Sequence, residues 1–253
     1  MALFHYEFYS ETLKKNTASY VVVPEYQIRK QHKKKLKVLY LLHGLSDNYT
    51  KWMRRTPIER YAKDDNWVVV MPDAEKSYYT NDVYGEQYWD YISKELPEII
   101  KSTFSFISEQ REDTYVAGLS MGGYGSIKLA LNAPDQFCAA ASFSGALNIK
   151  DEIENYPENS NVYSRVFGSW ENIKGTENDL FNSIQKLKEE NEEIPRIYIS
   201  CGTEDDMYNQ SQDFKNHLDQ LEIPYTYEEW EGKHDWIFWD ESIKRALVWF
   251  LKS

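Results

Sequence analysis

The sequence predicts an α/β fold, a mostly parallel eight-stranded sheet flanked by helices on both faces. Three observations predict it. Apolar runs of five to seven residues alternate with longer helical patterns. The interior runs are apolar throughout, which marks strands buried on both faces. The chain has 253 residues and 42% hydrophobic content, enough for one substantial core.

The elements follow in order. Segments 3–9 and 19–23 alternate in character and are expected to pair antiparallel. Further strands are then expected at 38–44, 67–72, 114–118, 138–143, 196–202 and 224–230, the interior ones buried on both faces. Helical patterns fill the gaps at 58–63, 88–104, 121–132, 180–189, 210–221 and 236–251. No repeat and no Pro/Gly/Ser linker interrupts the pattern, so residues 1–253 read as one domain. Segment 148–178 is polar and irregular and reads as a short cap-like insertion. In such sheets ligands bind at the carboxyl ends of the strands. Those ends carry His43-Gly44-Leu45, Asp73, Ser120, Ser144-Gly145 and Gly202-Thr203-Glu204-Asp205.

Composition narrows the function. The net charge of −12 repels phosphate backbones, so no nucleic acid partner is expected. The one basic run, KQHKKKLK at 30–37, reads as a solvated hairpin turn between two strands. The amino terminus lacks a basic head and apolar run, and no window approaches a membrane span. A cytoplasmic protein with no membrane association is expected. Cys138 and Cys201 fall at opposite ends of the sheet, beyond disulfide reach, and read as buried, inert thiols. Neither has a metal-like spacing partner, so no metal is expected. The chain has 20 Tyr and 8 Trp, which suggests an aromatic-lined cleft or a surface for homo-oligomer formation.

The chemistry centres on VAGLSMGGYGSIKLAL at 116–131, where Gly118-Leu119-Ser120-Met121-Gly122 fits G-x-S-x-G. A random chain of this length matches about one time in ten, so context must carry the motif. Here a buried strand leads in, a helix leads out, and the serine sits at the turn. This is the nucleophile elbow. Gly118 and Gly122 would let strand and helix pass closely, Gly123 would let the helix approach the sheet, and Gly125 reads as incidental.

A serine hydroxyl needs a base, and the base needs an orienting acid. In an elbow of this type the chain order is Ser, acid, His. His5, His32 and His43 precede Ser120, and His217 lies in an exposed helical pattern. His234, in the loop before the last helix, alone has both order and position. Glu204, Asp205 and Asp206 are all candidate acids; Asp205 is preferred and Asp206 is its main rival, since periodicity does not separate loop neighbours. Asp235 faces solvent or caps the last helix. The oxyanion donors are expected to be the backbone N–H groups of Met121 and Leu45, with His43 a structural residue of its loop.

The combination of YLLHGLSDNYTKW, AGLSMGGYGSIKLAL, SFSGAL, CGTEDDMY and GKHDWIFW resembles the esterase D-like branch of the α/β-hydrolases. Within it the chain looks most like small bacterial tributyrin esterases and acetyl esterases. The resemblance spans nearly the whole chain. It puts the nucleophile on Ser120, the acid on Asp205, the base on His234 and the oxyanion donors on Leu45 and Met121. It implies a serine carboxylesterase acting on a small-molecule ester with a short acyl chain, without metal or organic cofactor. Some relatives act on acetylated sugars or on cinnamoyl and feruloyl esters. Trp52, Tyr78, Tyr79, Tyr84, Trp170 and Trp236 are candidates to line the substrate pocket; the competing reading is that several of them only pack loops together. Competing functions are a thioesterase such as an S-formylglutathione hydrolase, an acyltransferase, and a catalytically dead binding protein.

Overall fold

The computed structural model describes residues 1–30 and 35–252. Its centre is one sheet of eight strands: β1 (Ala2–Ser10), β2 (Lys15–Val23), β3 (Val38–Leu42), β4 (Val68–Pro72), β5 (Thr114–Leu119), β6 (Ala139–Phe143), β7 (Arg196–Gly202) and β8 (Thr226–Trp230). The spatial order is β1-β2-β4-β3-β5-β6-β7-β8. β1 and β2 form the expected antiparallel pair, β2 joins β4 antiparallel, and every later pairing is parallel.

The helices are α1 (Glu25–Lys30), α2 (Lys51–Arg55), α3 (Ile58–Asp64), α4 (Tyr88–Asp90), α5 (Leu96–Thr103), α6 (Met121–Asn132), α7 (Ile149–Asn155), α8 (Ser160–Val166), α9 (Trp170–Ile173), α10 (Leu180–Glu189), α11 (Tyr208–Gln220) and α12 (Trp236–Phe250). They cover both faces of the sheet. Val38, Tyr40, Leu42 and Val116 pack with Ile127 of α6, Ile184 of α10 and Phe214 of α11. Leu39, Leu41 and Ala117, pointing the other way, pack with Trp52, Ile58, Ile243 and Leu247. Alternate residues of one strand thus feed opposite cores, which is why the central strands read as continuous apolar runs.

Three expectations about the frame are corrected. The strands on either side of the run at 30–37 are not hairpin partners, because β4 lies between β2 and β3 and α1 follows β2. Residues 31–34 of that run lie outside the described residues. The single helix expected at 88–104 is interrupted by a π turn at Tyr91–Glu95. Pro97 sits in the first turn of α5, where its ring would clash with the carbonyl four residues back; widening the ladder relieves that clash. Segment 148–178 is helical rather than irregular, carrying α7, α8 and α9. Both cysteines are free, but Cys138 is half-buried while Cys201 is buried. Among the described residues no helix is long and apolar enough to cross a membrane.

Candidate active site

β5 pairs with β3 and β6 at the centre of the sheet, so its carboxyl end opens at the middle of the rim. There Ser120 takes φ 53° and ψ −120°, and α6 begins at the next residue. A non-glycine residue rarely adopts that backbone, and it holds here because the surroundings over-determine it. The Ser120 N–H donates to the Phe143 carbonyl at 2.9 Å, and its carbonyl accepts from Ala146 N–H at 3.2 Å. The glycines make the turn possible. A Cβ on Gly122 would stand 2.6 Å from the Leu42 carbonyl oxygen, and one on Gly118 would fall onto the Gly122 carbonyl. Gly125 is not incidental, since a Cβ there would run into the Tyr79 ring.

The loops after β7 and β8 bring acid and base to the serine. Glu204 N–H donates to the Gly232 carbonyl at 3.0 Å and so ties one loop to the other. His234 Nε2 lies 3.0 Å from Ser120 Oγ, and its Nδ1 lies 2.9 Å from Asp205 Oδ1. The carboxylate fixes Nδ1–H as the donor and leaves Nε2 to accept the serine proton. Met207 N–H also donates to Asp205 Oδ1, at 2.8 Å. Asp206 is exposed and instead offers its backbone carbonyl to the Tyr156 hydroxyl at 3.3 Å. Of the two rival acids, Asp205 alone meets the histidine.

The neighbours sort plainly. Asp235 caps α12, its side chain accepting from Ile237 N–H and Phe238 N–H. His43 is buried: its Nδ1 donates to the Gly44 carbonyl at 2.8 Å and its Nε2 accepts from Ala74 N–H at 3.0 Å. It holds the loop that carries Leu45. His217, expected to be exposed, is half-buried with Nε2 3.1 Å from the Phe181 carbonyl. Among the described residues, the backbone N–H groups of Leu45 and Met121 have no intramolecular acceptor. Both residues stand beside the serine, Met121 next to it in sequence and Leu45 in the lining of its cleft.

That cleft holds about 240 Å³. Its walls include Ser46, Asp47, Tyr78, Glu152, Tyr156 and Asn159, with His234 and Trp239 beside Ser120. Most of the expected aromatics lie elsewhere. Trp52 is fully buried and gives its indole N–H to the Leu42 carbonyl at 2.9 Å. Tyr79 is fully buried with its hydroxyl on the His43 carbonyl at 2.9 Å. Trp236 packs edge-on against Trp52 and Trp239, Trp170 packs against the core, and Tyr84 stands 88% exposed. Only Tyr78 of that group reaches the cleft.

Glu152, Tyr156 and Asn159 were not anticipated, because nothing in a polar, irregular-looking stretch says which side chain turns inward. Trp239 had a readable signal: it stands five residues after His234, in the first turn of α12. Its indole N–H donates to Ser144 Oγ at 3.1 Å, and its ring meets His234 edge-on at 4.9 Å.

Comparison with known proteins gives the family and the fold. Residues 10–250 match the Esterase family model, described as "Putative esterase". An acetyl esterase of Caldicellulosiruptor saccharolyticus is 36% identical, covering 100% of this chain and 99% of that protein. The fluorophosphonate-binding serine hydrolase F of Staphylococcus aureus superposes with a TM-score of 0.93 at 36% identity, covering 100% of this chain and 99% of the other. An S-formylglutathione hydrolase of the same organism gives 0.90 at 36% identity, covering 99% of both chains. A ferulic acid esterase at 20% identity shares the fold, with a TM-score of 0.82.

Proposed function

The chain belongs to the esterase family and is a serine carboxylic ester hydrolase, and from that premise we propose that it removes short acyl groups from small alcohols through Ser120, His234 and Asp205. The observation that carries the reading is the unbroken hydrogen-bond chain from Ser120 Oγ through the imidazole to Asp205. Ser120 Oγ attacks the acyl carbon while His234 Nε2 takes its proton. The oxyanion that forms is held by the N–H groups of Leu45 and Met121. His234 then protonates the departing alcohol, and Asp205 stabilises the imidazolium in between. Water repeats the attack on the acyl-enzyme with the same base, releasing the acid and restoring Ser120.

The small cleft favours short acyl groups such as acetyl. Two free cysteines fit the reducing cytoplasm, where we place the enzyme. Thioester cleavage is the second reading, supported by the similarity to an S-formylglutathione hydrolase. The test is turnover of p-nitrophenyl acetate, butyrate and octanoate, with Ser120→Ala as control. We expect rates to fall with chain length and the variant to lose about 10⁶-fold in kcat. Near-normal turnover by Ser120→Ala would sink the assignment.

A further inference from the structure

The cleft contains an ionisable group that the hydrolytic mechanism does not use. Glu152, on α7, is 3% exposed and lines the same cleft as Ser120. Its Oε2 accepts from the Tyr78 hydroxyl at 3.0 Å and the Tyr163 hydroxyl at 2.8 Å. Its Oε1 accepts from Gln210 Nε2 at 2.7 Å. All three donors are neutral. They satisfy the carboxylate's lone pairs without cancelling its charge.

Among the described residues Glu152 makes no ion pair, and the cleft lining holds no lysine or arginine. The other carboxylate in the lining, Asp47, is paired with Lys51 at 3.1 Å. Asp151 shares Gln210 Nε2 at 3.0 Å, which adds negative charge behind Glu152 rather than removing it. Burial first, then the charges of Glu152, Asp151, Asp206 and Asp205, push the Tyr156 phenol up to about 12. A buried carboxylate without a counter-ion costs stability, and a neutral side chain would fill the wall without that cost. Because the carboxylate is buried, its charge acts on a ligand in the cleft through a lower effective dielectric than a surface charge would.

We propose that Glu152 is a specificity-determining residue, whose carboxylate restricts this cleft to esters of alcohols that carry no negative charge. The inference rests on the Ser120 reading. With a short acyl group, any charge on the substrate must ride on the alcohol. A neutral polyol, such as an acetylated sugar, meets a wall of hydroxyl, amide and carboxylate acceptors. An alcohol bearing a carboxylate meets an unneutralised like charge.

The test compares 4-acetoxybenzoate with its uncharged isostere 4-acetoxybenzamide at pH 8 and low ionic strength. Both yield a phenol on deacetylation. For the wild-type enzyme we expect kcat/KM for the anion to fall below that for the amide by on the order of tenfold. Glu152→Gln should bring the ratio close to one, and Glu152→Asp, which keeps the charge, should preserve the preference. Added salt should raise the anion's kcat/KM in wild type and leave the amide's unmoved. That measurement needs no variant to fold. Equal rates on the two esters in wild type, or a preference that survives Glu152→Gln and is insensitive to salt, would overturn the inference. Ser120→Ala run beside them separates the two levels. If it turns over the amide, the nucleophile is misassigned; if it is dead while the ratio ignores Glu152, only the present inference fails.

Discussion

Ser120 and Glu152 share one cleft but are held in it by different means. Ser120 is placed by its own backbone, in a left-handed conformation between β5 and α6 that neighbouring glycines permit. Glu152 is placed by side chains from three other parts of the chain, 74, 11 and 58 residues away in sequence. The position of Ser120 is therefore written mostly in one short stretch, which the ends of β3 and β6 then hold, whereas the facing wall is a property of the assembled fold. The difference teaches where change is tolerated. On the reading proposed above, substitutions at Ser120, Asp205 or His234 are expected to remove the reaction, and substitution of Glu152 is expected to change which esters are accepted.

After loss of Ser120 itself, the largest expected effect is at Asp205. Asp205→Asn keeps the shape of the rim but no longer fixes His234 in the reactive tautomer, so kcat should drop by about 10⁴-fold with little change in melting temperature. If kcat stayed within tenfold of wild type, the orienting role would have to pass to another group, Asp206 first. A smaller effect separates the cleft from the core beneath it. Trp52→Ala should cost about 3–5 kcal/mol in denaturant unfolding, as removal of a fully buried indole does, with KM for p-nitrophenyl acetate unmoved. A raised KM at unchanged stability would instead put that ring in the pocket.

The smallest expected effect lies behind the wall. Tyr78 and Tyr79 both have positive φ, 50° and 52°. Lys128, fully buried in α6, supports this turn by donating to the Tyr79 carbonyl at 3.2 Å and to Thr80 Oγ1 at 2.8 Å. Burial pushes its ammonium down to about 7 from 10.5. Between those values the unfolded chain binds a proton that the folded chain does not, so stability rises with pH, by at most about 1.4 kcal/mol per unit from this group. Below pH 7 both states are protonated, and the cost of burying the charge is felt in full. Denaturation midpoints measured from pH 7 to 8.5 should climb more steeply for wild type than for Lys128→Met. Parallel slopes would mean that the lysine keeps its proton in the fold.

The sequence by itself determined the strands along the chain and their two-faced burial, and it singled out Ser120 and His234 as candidates for the chemistry. Apolar runs without alternation reported strands buried on two faces, and G-x-S-x-G reported a turn that only glycines permit; both signals lie within a few contiguous residues. His234 followed because it alone stands after the last strand. The choice between Asp205 and Asp206 was open, since adjacent loop residues differ only in which one turns inward; in the structure Asp205 is the one that receives hydrogen bonds from His234 and Met207. The π turn at Tyr91–Glu95 and the displacement of β4 between β2 and β3 were likewise settled by packing. So was the pocket. Trp52 and Tyr79 have the composition of lining residues and are core, while Glu152 and Tyr156, in a stretch that reads as a polar loop, form the wall. Local backbone chemistry is written where it acts, but a side chain's direction depends on partners far along the chain, and these meet it only once the sheet and its helices have assembled.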